Sequence, residues 1–197
     1  MRKINVKRMA GIALLMAMVV VMQFLSGMIP PIGGVSISLV LIPIVLGATL
    51  FGPGAGALLG ATFGVVVFIN CVTGADPGGQ VVFQANPVLC FLVVMGKGVL
   101  AGLASGCIYR LVKKKDAAGY KAMLCAAAIC PVVNTGVFIL CMLTFFRSVL
   151  EAWSAGGGVA AFILSGLILV NFIPELAINL VFSPASQRIL QSVTKKS

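Results

Sequence analysis

Four polar side chains interrupt runs of this sequence that are otherwise apolar: Lys97 between Gly96 and Gly98, Asn134 in Asn134-Thr135-Gly136, Asn171, and Glu175 beside Pro174. An ammonium can hold an anion, and a carboxamide offers donors and acceptors together. Lys97 lies ten residues beyond Pro87, which opens its run. At the rise of an α-helix that is about 15 Å, near the middle of a bilayer. A charge at that depth costs about 3 kcal/mol or more and persists for a reason. Three readings compete: Lys97 holds an anionic ligand entering from outside, pairs with Glu175, or extends its stem toward an interface. Counted along a straight helix, Glu175 falls deeper than Lys97, which weakens the pairing. Asn134, with Gly136 leaving room beside it, suits a ligand bearing amide or hydroxyl groups. The alternative is that Asn134 and Asn171 only bridge helices, at about 1 kcal/mol each.

The same inventory argues against catalysis. The chain has no His and only four acidic residues, and Lys97 has no Ser at useful spacing on its own helix, so no nucleophile–base pair can be assembled. No glycine loop followed by Lys and Ser/Thr is present, so ATP hydrolysis is not expected in this chain. The six Cys match no metal-ligand spacing and read as small packing residues. No catalytic residue, cofactor or metal site is expected.

The elements that position these groups are membrane spans. Ile37 to Val72 contains no Lys, Arg, Asp, Glu or His, and a helix needs about 20 residues to cross the hydrocarbon core, so this stretch suits two crossings around Gly52-Pro53-Gly54. Apolar residues make up 60% of the chain and charged ones 9%, against roughly 25% charged in soluble domains. The net charge of +10 does not point to nucleic acid, because the basic residues sit at the ends of apolar runs, the positive-inside pattern. Arg2, Lys3, Lys7 and Arg8 precede the first run; Arg110 and Lys113 to Lys115 follow the fourth; Arg188, Lys195 and Lys196 close the chain. The expected fold is an all-α integral membrane protein, one domain over residues 1–197. Its six transmembrane helices cover about 9–28, 36–51, 54–71, 87–110, 120–146 and 158–181, with both termini cytoplasmic. The apolar start reads as a retained first helix instead of a cleaved signal.

Small residues predict how the spans meet. Gly56, Gly60 and Gly64 and, separately, Gly98, Gly102 and Gly106 recur at four-residue spacing, each ladder baring a strip of backbone for close approach. They face each other, or seat Ala13 and Ala17 of the first span. Between the third and fourth spans lies a polar segment, Thr73 to Asn86, with Val81, Val82 and Phe83 at its centre. It is either a plain connection or a lid folded back on the bundle, with Gln84 as a candidate ligand contact.

Six spans with both ends inside, Ala13-xxx-Ala17, the run Ile42-Pro43-Ile44-Val45-Leu46-Gly47-Ala48 leading into Phe51-Gly52-Pro53, Asn86-Pro87, Lys97-Gly98 and Asn134-Thr135 together resemble the substrate-binding S component of energy-coupling factor (ECF) vitamin transporters. The resemblance implies capture of a water-soluble vitamin from outside and docking on a membrane T component driven by two cytoplasmic ATPases. It assigns Ala13 and Ala17 to partner docking, and Lys97, Asn134, Gln84 and Asn171 to the ligand, while Glu175 looks too deep. One cation, two amides and few aromatics favour a small hydroxylated carboxylate such as pantothenate, then folate or riboflavin. The alternatives are a self-contained secondary transporter or small channel, or a structural membrane protein.

Overall fold

The computed structural model describes residues 6–27, 39–116, 118–154 and 156–195, with side chains as far as Ser192. The Pro30-Pro31 reversal, the start of the second span at Ser36, Arg2, Lys3 and Lys196 lie outside the described residues. Helices follow in the order α1 (Val6–Gly27), α2 (Leu41–Phe51), α3 (Pro53–Thr73), α4 (Pro77–Ala85), α5 (Pro87–Lys113), α6 (Tyr120–Phe145), α7 (Arg147–Trp153), α8 (Val159–Phe162), a π-helix (Ile163–Phe172) and α9 (Ile173–Lys195). Five helical segments are long and apolar enough to cross a membrane, and α2 is a shorter apolar helix. The described residues contain no strand. In lipid only intra-helical pairing or a closed barrel satisfies the backbone, and the described spans are helices.

The glycine ladders decide the centre of the bundle. A methyl group added at Gly60 would fall on the carbonyl oxygen of Gly98, and one at Gly56 on that of Gly102; the reverse contacts hold for Gly98 and Gly102. Thus α3 and α5 pack backbone to backbone along the two strips. Ala13 and Ala17 do not occupy this seam; both are exposed on the outer side of α1. Instead α2 fills the space beside it, with Leu41 and Pro43 to Thr49 buried on every side. A helix apolar all round belongs inside. Its C-terminal carbonyls need partners, and Arg8 donates from Nη2 to the Phe51 oxygen at 2.9 Å. Ser105 joins α5 to α6 by donating to the Ala126 oxygen at 3.0 Å.

The Thr73 to Asn86 segment is not a plain loop, because it contains α4. Asp76 caps this helix, its Oδ1 accepting from the Gly79 N–H at 3.2 Å, with Pro77 in the first turn. Asn86 ends α4 and starts α5: its N–H donates to the Val82 oxygen at 3.1 Å and its Oδ1 accepts from the Leu89 N–H at 3.0 Å. Gly78 and Val82 are buried, while Phe68 meets Phe83 and Phe91 edge-on at 5.7 Å and 5.2 Å. These contacts fold α4 back over the bundle.

Prolines fall within both of the later long helices. Helix α6 runs through Pro131 without ending. The last span was expected over 158–181, yet helix is continuous from Val159 to Lys195, and ten residues near its start, Ile163–Phe172, are π-helical. The π segment ends at Phe172, two residues before Pro174. Pro174 cannot donate to the carbonyl four residues back and its ring crowds that carbonyl; the wider i→i+5 closure accommodates it.

At the basic end, Asp116 links α5 to α6, accepting from the Ala122 N–H at 3.0 Å. That bond, with further N–H donation from Gly119 and Lys121 and the nearby Lys113 ammonium, holds its carboxyl below the usual carboxylate range.

Candidate ligand-binding site

Two adjoining cavities occupy the end of the bundle beneath α4, with about 680 Å³ and about 520 Å³ of open space. Val67, Asp76, Lys97, Asn134 and Asn171 line both, so the two lobes share a waist built from α3, the turn before α4, α5, α6 and the π-helix. One lobe is largely apolar, with Val82, Val93, Val94, Phe138 and Trp153 in its wall. The other is polar, with Gln23, Ser26, Asn70 and Glu175.

Three of the residues singled out by sequence therefore meet at one place: Lys97, Asn134 and Asn171. Lys97 does not run along the helix to an interface. Its Nζ stands 4.9 Å from the ring centroid of Phe138 and 5.6 Å from that of Phe63, so two aromatic faces steady the charge. Gln84 is not brought in; it is exposed on α4 and lines neither cavity. Because α4 is a helix, its turn directs Gly78, Gly79 and Val82 to the cavity and Gln84 away from it. Glu175, which sequence spacing placed too deep, is 1% exposed and lines the polar lobe. The π-helix ahead of it is the physical reason. Its wider turns change both the depth and the direction of every later residue relative to an α-helical count.

The polar atoms are poised for a guest. Asn134 Oδ1, Thr135 Oγ1, Asn171 Oδ1 and Gln23 Oε1 are buried and have no hydrogen-bond partner among the described residues. Buried acceptors are normally paired, and leaving one unmade costs about 1–3 kcal/mol. Four such atoms facing one chamber fit a site that a hydrogen-bonding ligand or water completes. This disfavours the reading in which Asn134 and Asn171 merely bridge helices. Sequence reading passed over Gln23, although a lone amide in an apolar run is the signal that drew attention to Asn171. Asp76 and Phe138 could not have been found that way, since neither is unusual in its own segment.

Comparison with known proteins bears on what such a chamber is for. The profile of the family described as ECF transporter, substrate-specific component, matches residues 7–185. The chain belongs to this family. It is thus a substrate-binding transport subunit and a multi-pass protein of the cell membrane. A relative, the "Pantothenic acid transporter PanT" of Lactococcus lactis subsp. cremoris (strain MG1363), is 22% identical over 206 residues, covering 99% of this chain and 97% of its own length. Within this S component, the small residues Ala13 and Ala17 stand exposed on α1 beside Leu14 and Met18, and the two cavities lie beneath α4, away from the basic loop that joins α5 to α6.

Proposed function

We propose that this S component captures pantothenate from outside the cell and hands it to an ECF module made of a membrane T component and two ATPases. The observation that carries the reading is that Lys97 and the unpartnered oxygens of Asn134, Thr135 and Asn171 line one cavity. A carboxylate answers the ammonium, and amide and hydroxyl groups of the same small molecule answer the acceptors. The apolar lobe, walled by Val93, Val94 and Phe138, suits branched methyl groups. Extended ring vitamins fit less well, because Phe63 and Phe138 are engaged by Lys97 and Trp153 leans on Phe162 at 6.0 Å. The relative named as a pantothenic acid transporter supports the same choice. Docking of the T component falls to the exposed Ala13 and Ala17 strip, where small side chains allow close helix approach.

The test is native mass spectrometry of the detergent-purified protein from cells grown in rich medium, joined to thermal shifts with pantothenate, folate, riboflavin and thiamin. A pantothenate adduct and a melting shift specific to pantothenate are expected, since a ligand that binds only the native state must stabilise it. A shift with another vitamin and none with pantothenate would overturn the substrate.

A further inference from the structure

Helix α1 enters the ligand chamber with its last two turns. Gln23, Ser26 and Gly27 lie on one face of the helix and line the polar lobe together with Lys97, Asn134 and Asn171. Ser26 is engaged, its Oγ accepting from the Leu39 N–H at 3.1 Å. Gln23 is half-buried, and its Oε1 is fully buried with no partner among the described residues. A buried carboxamide oxygen calls for a donor. A hydroxyl suits it in either orientation of the amide, because a hydroxyl both donates and accepts. Pantothenate bears two methyl groups and a hydroxymethyl group on one carbon. At the waist between the lobes that carbon can turn its methyls toward Val93, Val94 and Phe138 of the apolar lobe and its hydroxyl toward the polar one.

Resting on the reading of the chamber as a pantothenate site, we propose that Gln23 binds the terminal hydroxyl of the ligand, which makes it a specificity-determining residue and fastens α1 to the chamber. Helix α1 is lightly held in the ligand-free chain. Of its 22 residues, Leu15, Val19 and Ser26 are buried. Its side chains bond to α2 through Arg8, which reaches the Phe51 oxygen at one end, and to Leu39 through Ser26 at the other. A ligand that touches Gln23 and also Lys97 of α5, Asn134 of α6 or Asn171 of the π-helix bridges α1 to the opposite wall of the same lobe. Gln23 follows Ala17 by six residues and Ala13 by ten on this helix, so the bridge acts on the helix that carries the exposed small-residue strip. A ligand with a methyl group in place of the hydroxyl fills the lobe but leaves the Gln23 oxygen without a donor.

The experiment is isothermal titration of two ligands into the purified full chain and into Gln23→Met: pantothenate, and its analogue in which the terminal hydroxymethyl group is a methyl. The wild-type chain should bind the analogue about tenfold more weakly than pantothenate. Gln23→Met, shown to be folded by its ligand-free melting transition, should bind pantothenate about tenfold more weakly than wild type does and hold the two ligands within about twofold of each other. A purely structural role for Gln23 would weaken both ligands alike and keep the difference between them. Hydrogen exchange on the wild-type chain supplies a measurement that needs no variant: pantothenate should slow exchange in the last turns of α1, and the analogue should slow it less. Equal affinity of the wild-type chain for the two ligands overturns the proposal while leaving pantothenate capture intact. A tenfold difference that persists in Gln23→Met overturns the assignment to this residue, and exchange in α1 that pantothenate leaves unchanged overturns the fastening. No binding of pantothenate to the wild-type chain refutes the substrate reading and this proposal with it.

Discussion

Replacing Lys97 by Met tests the centre of the site. Met keeps much of the side-chain length and can rest its sulfur against Phe63 and Phe138, whose rings now flank the ammonium at 5.6 Å and 4.9 Å. What it removes is the charge-assisted hydrogen bond to a ligand carboxylate, about 1.5–3 kcal/mol in a site shielded from water. A central loss of about 2 kcal/mol corresponds to a Kd about 30-fold weaker. At the low end of that range the loss is still about tenfold. In a thermal-shift assay with pantothenate at about 100 times the wild-type Kd, the ligand stabilises the wild-type chain by about 2.7 kcal/mol. The same concentration should stabilise Lys97→Met by only about 0.9 kcal/mol. The melting transition of the ligand-free variant confirms that it is folded. A folded Lys97→Met with unchanged pantothenate affinity would remove the ammonium from the site and refute the reasoning.

Other residues permit equally direct tests. Gly60→Val should lower the melting temperature sharply or abolish the folded yield, because its side chain would meet the Gly98 backbone, whereas Gly54→Ala, with open space around the new methyl, should melt like the wild type. Thr135→Val removes a buried hydroxyl that has no partner among the described residues. The ligand-free protein should be as stable as wild type or more so, while pantothenate binding weakens about 2- to 10-fold, the worth of one neutral hydrogen bond; unchanged affinity would mean the hydroxyl does not meet the ligand. The depressed Asp116 carboxyl contributes stability that is complete above its unfolded value of about 3.9 and is lost as pH falls through its lower folded value. Asp116→Asn should therefore lower the melting temperature at neutral pH and narrow its gap from wild type in strong acid; a gap independent of pH would contradict the Ala122 contact as its source.

How much of this was legible in the chain depends on the range of the physics involved. Apolar run length and the placement of Lys and Arg depend on each segment meeting lipid or water by itself, so the all-helical membrane fold could be read directly. Lys97, Asn134 and Asn171 stood out for the same reason: a polar group in an apolar run is anomalous whatever its neighbours are. The glycine ladders showed that close approach would occur, though not which strips would meet. Ala13 and Ala17 were equal candidates for that seam until the backbone contacts of Gly56, Gly60, Gly98 and Gly102 filled it.

The remaining features depend on direction, which one-dimensional spacing does not carry. Gln84 and Val82 lie two residues apart in a segment that sequence allowed as loop or lid. Only the formation of α4, capped by Asp76, turns Val82 inward and Gln84 to the surface. Glu175 was misjudged because depth was counted on a straight α-helix, and the π-helical turns before Pro174 bring it into the chamber instead. By itself the sequence determined that helices cross a membrane and that a few polar groups lie within it, because burial in lipid is a local cost borne by each residue. Only the tertiary structure decided that four of those spans and the turn before α4 bring a cation, two carboxylates and unpartnered amides to one chamber, because helix azimuth and proximity arise from packing between segments distant in the chain.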